Sequence, residues 1–233
     1  CALATVIQAE SGVGGKLLLL AYGHAEGGIP EPLRAEIIAR APALMRSETS
    51  ATIDATAGGA QVFVEVFAPP PTLVIFGGAH TAIPLSLFAQ TLGFRVIIVD
   101  GRAKFADPAR FPHADRVIHA WPQEIIPALN INASTYCAVL THDPKFDLPA
   151  LKMLVHTEAR YIGAMGSRQT RQNHFQQLIE DGVSPELLRR VRGPIGLDIG
   201  AVTPEEMALA IMAEIVAVRY NRSGAALSAQ RKG

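Results

Sequence analysis

Six residues, Gly77, Gly78, Ala79, His80, Thr81 and Ala82, separate the apolar run TLVIF from the amphipathic stretch IPLSLFAQTLG. A glycine turn that leads a strand into a helix aims free amides and a positive dipole end above the sheet, which suits an anion such as phosphate. The spacing approaches the fingerprint Gly-x-Gly-x-x-Gly/Ala. Gly77 suits the tight turn and Ala82 allows close helix packing, but Ala79 stands where a bare backbone would approach a pyrophosphate. Asp100 closes the next apolar run, 23 residues after Gly77, where a ribose-binding acid belongs, and Arg102 is close enough to meet an extra phosphate. The plainer alternative is an ordinary connection, with Asp100 capping the segment that follows.

Two further stretches carry candidate chemistry. His142 and Asp143 follow the run YCAVLT; the imidazole can donate to a phosphate, move a proton or ligate a metal, and Asp143 can orient it or cap a helix begun by Pro144. Gly166, Ser167 and Arg168 follow ARYIGAM, where helix amides and an arginine fork would hold an anion. A third stretch, RGPIGLDIGAVTPEE, is broken by Gly193, Gly196 and Gly200 and offers Asp198; it suits either backbone approach to a ligand or a structural crossing. There is no paired-cysteine site, His-Glu-x-x-His or Gly-x-Ser-x-Gly motif, so zinc and serine hydrolysis rank low and no metal site is expected. His24, His113, His119, His156 and His174 are scattered and are read as surface or core residues.

The elements that must position these groups alternate. After Pro69, Pro70 and Pro71, the runs TLVIF, RVIIV, RVIHA, YCAVLT and ARYIGAM are interleaved with helical stretches. That order predicts a parallel sheet with right-handed helical crossovers, in which residues just past the strand ends share one rim. Ser184 with Pro185, and Thr203 with Pro204 and Glu206, mark two later helix starts. Met207, Ile211, Ile215 and Val218 form an apolar stripe for core packing or a dimer contact. Ahead of the prolines, ALATVIQA, KLLLLAY and AQVFVEVF read as strands and EPLRAEIIARAPALM as a helix. The expected organisation is α/β: a small α+β domain over residues 1–68, a Rossmann-like doubly wound domain over 69–222, and a flexible tail over 223–233.

Composition excludes several classes. With 21 basic and 21 acidic residues, no net field draws the chain to nucleic acid or to an acidic membrane surface. No apolar run reaches the ~18 residues of a membrane span, and Cys1 and Cys137 make no disulfide framework, so a reducing cytoplasm is expected. The absence of an initial Met leaves room for residues ahead of Cys1.

The stretches DGRAKFADPARFPHAD, LTHDPKFDLPAL, RYIGAMGSRQTR and RGPIGLDIGAVTPEEMALAIMAEIVAVR, taken in order with the Thr72–Asp100 unit, resemble the XdhC/CoxI accessory proteins that mature xanthine and carbon monoxide dehydrogenases. The N-terminal part is similar to that family's smaller first domain, though shorter. The resemblance implies a dimeric cytoplasmic factor that binds molybdenum cofactor (molybdopterin), works with a cysteine desulfurase, and delivers the cofactor to a molybdenum hydroxylase apo-enzyme. It also implies a cofactor site that includes Gly77, Gly78 and His80. The chain departs from the family at Ala57, where a Cys-Gly-Gly is common, at Ile29 and Pro30 after Gly27 and Gly28, and at Gly78 and Ala79, where Gly-Ala-Gly-His is usual. Two rival readings use the same domain: an NAD(P)-dependent oxidoreductase with His142 as acid or base, and a ligand-free scaffold that binds a partner enzyme.

Overall fold

A computed structural model describes residues 1–20 and 23–229. The chain forms two compact units, Cys1–Pro69 and Pro70–Gly233. The end of KLLLLAY and the last four residues of the expected tail lie outside the described residues.

In the first unit, β1 (Ala2–Gln8), β2 (Lys16–Leu19), β3 (Ala25–Gly27), β4 (Ala51–Asp54) and β5 (Gln61–Val66) form an antiparallel sheet ordered β3-β2-β1-β5-β4. Ala4 faces Val64 and Leu17 across the ladders, so the buried alternate residues of neighbouring strands line one face. Helix α1 (Leu33–Ser47) covers that face with Leu33, Ile37 and Ala41, one residue per turn. β3 is too short to announce itself by alternation, and β4, ATID, has a single large apolar side chain.

The second unit holds six parallel strands: β6 (Thr72–Phe76), β7 (Arg95–Asp100), β8 (Arg116–His119), β9 (Thr135–Val139), β10 (Tyr161–Ala164) and β11 (Val191–Arg192). Their order is β8-β7-β6-β9-β10-β11, with parallel pairing throughout. Successive strands step outward one way from β6 and then the other way from β9, so the order reverses between β6 and β9. In such sheets the crevice beyond that reversal is where ligands bind.

The apolar runs are continuous because both faces of the sheet are covered. Leu73 and Ile75 point into a core shared with α2 (Ala82–Thr91) and α7 (Pro204–Arg219). Val74 and Phe76 point into the opposite core, closed by α4 (Pro144–Leu154), α5 (Arg168–Glu180) and α6 (Pro185–Leu188). A short helix, α3 (Pro122–Ile125), follows β8. The stripe Met207, Ile211, Ile215 and Val218 packs into the first of these cores, so core packing accounts for it. Asp143, Ser167, Ser184 and Thr203 each cap a helix by accepting a backbone N–H, and Glu206 completes a capping box with Thr203.

Candidate functional site

The turn after β6 lies at the reversal, and its glycines are needed for packing. Gly77 has φ +109°, and a Cβ there would sit 2.5 Å from Thr141 Cγ2 at the end of β9. A Cβ on Gly78 would collide with the carbonyl oxygen of Phe105. Both amides have internal acceptors: Gly77 donates to Val99 O at 2.8 Å and Gly78 to Asp100 Oδ2 at 2.8 Å. The amides left for a ligand are therefore those of Ala79, His80 and Thr81, which have no hydrogen-bond partner among the described residues. They precede α2 at its positive end, beside the exposed His80 ring.

Asp100 holds this turn in shape. It is completely buried, and its Oδ1 accepts from Arg102 N and Nε while Oδ2 accepts from Gly78 N and an Arg102 terminal nitrogen, all at 2.8–2.9 Å. A carboxylate has about four acceptor positions, so none is left for a ribose hydroxyl. Burial alone would push its pKa up; the Arg102 and Gly78 bonds outweigh that and hold the carboxyl below the ordinary range. The segment after Asp100 closes over the turn, with Arg110 donating to Gly78 O at 2.7 Å and both Arg102 and Arg110 lying against the Phe105 ring. Half of the Arg102 side chain stays exposed.

Across the reversal, Leu140 and Thr141 continue β9 and bring the exposed His142 and Asp143 to the rim. Asp143 accepts from Lys145 N at 3.0 Å, which makes it the N-cap of α4. Beneath them lies a residue that the sequence does not mark. Asp147, 2% exposed, takes a short hydrogen bond from Thr141 Oγ1, and Thr141 is itself buried. Burial, with the nearby Asp143 charge, raises the Asp147 carboxyl to about 6 despite that bond. In the sequence it is one acid within a helix start, with no spacing to identify it as buried.

One strand further along the rim, Gly166 has φ +133° and packs its backbone against Thr170. Ser167 accepts from Thr170 N at 3.1 Å as the cap of α5, and Arg168 is exposed at the first position of that helix. The fold thus sets the 79–81 amides, His142 and the Ser167–Arg168 pair after three adjacent strands, β6, β9 and β10, while Asp100 and the two glycines serve the turn's interior. Among the described residues no three His, Cys, Asp or Glu side chains cluster as metal ligands, and no helix is long and apolar enough to cross a membrane. Cys137 is fully buried with its thiol pushed up to about 12 by burial, so it is not a nucleophile. Ala57 N donates to Glu36 Oε2 at 3.2 Å in the first unit, where Glu36 also binds Thr56.

A second buried carboxylate was equally hidden. Glu214 of α7 accepts from Tyr161 Oη at 2.5 Å and from Gly196 N at 2.9 Å, and lies 3.4 Å from Arg192. It anchors the glycine-punctuated stretch after β11, which gives Gly196 a structural role: a Cβ there would sit 3.2 Å from the Ala210 carbonyl carbon.

Strand order and glycine turn together define a Rossmann-type domain. Residues 73–215 match the family model described as the XdhC Rossmann domain, and the chain belongs to that family. It is 32% identical over 168 residues to the uncharacterized protein YqeB of Escherichia coli, covering 72% of this chain and 31% of that one. It is 31% identical over 158 residues to a Bacillus subtilis protein named as a probable xanthine dehydrogenase subunit, covering 68% and 46%. It is 33% identical over 92 residues to the E. coli molybdenum cofactor insertion chaperone PaoD, covering 40% and 29%. The chain therefore spans less than half the length of these curated relatives. A Bacillus halodurans crystal structure described as a xanthine dehydrogenase shares the fold, with a TM-score of 0.71 at 24% identity over 93% of this chain and 61% of that one.

Proposed function

We propose that this chain is a maturation factor that holds molybdenum cofactor for a molybdenum hydroxylase of the xanthine or carbon monoxide dehydrogenase type. The observation that carries the reading is a rim of unpaired anion donors at the strand-order reversal of an XdhC-family domain. The name of PaoD, a molybdenum cofactor insertion chaperone, supports it.

The donor set fits a phosphate-bearing pterin. The Ala79, His80 and Thr81 amides and the Ser167–Arg168 pair are the groups for the phosphate, while His80, His142 and the exposed half of Arg102 offer donors to a polar ring system. Bound there, the cofactor would bring the metal chemistry of the client enzyme. The chain's own part is retention and release: amides fixed by the turn need no reorganisation to bind, and an exposed rim lets the cofactor leave. The filled acceptor positions of Asp100 speak against the nicotinamide dinucleotide alternative, because its ribose acid is occupied.

Activation of a purified apo-hydroxylase by cofactor in the presence and absence of this chain tests the role. Faster or fuller activation with the chain is expected, reduced in Arg168→Ala, whose loss of charge-assisted bonds weakens binding by about 1.5–3 kcal/mol. Equal activation with and without the chain would contradict the role.

A further inference from the structure

The second unit contains a cleft of about 570 Å³, separate from the rim, that runs along the outer strand β11. Arg160, Arg171, Arg189, Arg190 and Arg192 line it, with Glu214 as the only carboxylate among the described lining residues. No residue of the 77–82 turn or of 141–143 contributes.

The five guanidiniums are not equally committed. Arg190 donates to the carbonyls of Val155, Thr157 and Ala159, which fixes its position without cancelling its charge, and Arg160 donates to the carbonyl of Arg219. Arg189 pairs with Glu186 at 2.9 Å with both side chains mostly exposed, a contact worth little in water. Arg192 reaches Glu214 only at 3.4 Å, and that carboxylate already accepts from Tyr161 and Gly196. The Arg171 guanidinium lies over the Phe175 ring at 4.7 Å and has no hydrogen-bonded or ionic partner among the described residues. A concave site with this excess of positive charge holds like charges together, a cost that an anion with several charges removes.

We infer that this cleft binds the diphosphate, or a comparable pair of phosphates, of a nucleotide-sized small molecule. Arginine forks match phosphate oxygens two at a time; the Arg171 fork is open, Arg189 holds only an exposed ion pair, and Arg192 only a long one. The volume lies within the ~300–1,000 Å³ range of small-molecule sites, and Gly193 and Pro194 present a wall with little side chain to fill it. A Cβ on Gly193 would sit 3.3 Å from Arg171 Cδ, so the glycine also leaves room for that arginine. The site is independent of the pterin reading, since it uses none of the rim residues.

Calorimetric titration of the chain with inorganic pyrophosphate at low salt tests the assignment. Saturable binding is expected, weakened by added salt, and lowered about tenfold by Arg171→Ala, the scale of one lost charge-assisted fork. Arg189→Ala, a fully superficial change, provides a second variant and should also weaken binding. Arg46→Ala, an exposed change in the first unit, should leave it unchanged. The inference is overturned by no saturation at millimolar pyrophosphate, or by citrate binding as tightly as pyrophosphate. It is equally overturned by an acidic peptide binding where pyrophosphate does not, or by sensitivity to His80→Ala in place of Arg171→Ala, which would move the anion to the α2 turn.

Discussion

Asp100 and Glu214 are built alike and used differently. Each is a buried carboxylate that accepts from a glycine amide and faces an arginine, Gly78 and Arg102 in one case, Gly196 and Arg192 in the other. Arg102 gives Asp100 two bonds at 2.9 Å from side-chain nitrogens and a third from its backbone, so the pair is closed on itself. Arg192 makes one long contact, to Glu214 Oε1, while Tyr161 and Gly196 share Oε2. The first arrangement stiffens a turn whose 79–81 amides have no hydrogen-bond partner among the described residues. In the second the arginine keeps its charge for an outside partner. Whether a buried acid silences its arginine thus depends on how many of its acceptor positions the arginine itself takes.

The largest effect that would break this comparison is at Asp100. Asp100→Ala leaves the Gly78 amide buried and unpaired and releases Arg102. A loss of about 2–3 kcal/mol is expected in urea denaturation, discounted because Arg102 is half exposed and rehydrates. Asp100→Asn should recover little, since one amide oxygen cannot serve four donors; full recovery would show that the closed pair is not what holds the turn. Glu214→Ala should cost less, about 1–2 kcal/mol, from the stranded Tyr161 hydroxyl and Gly196 amide. Glu214→Gln should restore most of that, because the Arg192 contact is long; a Gln variant as unstable as Ala would refute the asymmetry.

Asp147 provides a pH-dependent check on the same rim. Its folded pKa, raised to about 6, exceeds the ordinary value, so its contribution to stability is full below the unfolded pKa and is lost as pH rises through the folded one. Asp147→Asn, which keeps an acceptor for Thr141, should flatten stability between about pH 4 and 6 and gain about 1–2 kcal/mol at neutral pH. An unchanged slope in that window, followed by denaturation at several pH values, would refute the buried charge. The smallest effect is at Ala79. Ala79→Gly removes the methyl from the fingerprint position and is expected to change stability by less than about 1 kcal/mol while strengthening anion binding at the turn; weaker binding would show that the methyl is no obstacle.

The doubly wound sheet was legible because continuous apolar runs, glycine breaks and the capping residues Asp143, Ser167, Ser184 and Thr203 all point the same way. β3 and β11 were not, since two or three residues cannot display a period, and β4, ATID, has a single large apolar side chain. The rim positions followed from strand ends alone. The partners of Asp100 did not, because Gly78 is 22 residues away and only the closed fold brings its amide to the carboxylate. Asp147 and Glu214 read as ordinary helix acids, and the arginines of the β11 cleft read as surface charge, because burial and convergence are tertiary facts with no local pattern. Asp100 shows the limit most clearly: its place in the chain marks a nucleotide acid, while its bonds give it a structural task.

The most direct measurement is native mass spectrometry of the chain purified from cells that make molybdenum cofactor, followed by acid release and fluorescence of the oxidised pterin. A retained cofactor predicts pterin released in proportion to protein and reduced in Arg168→Ala. Protein free of pterin, from cells shown to contain the cofactor, would contradict the role of this chain as its carrier.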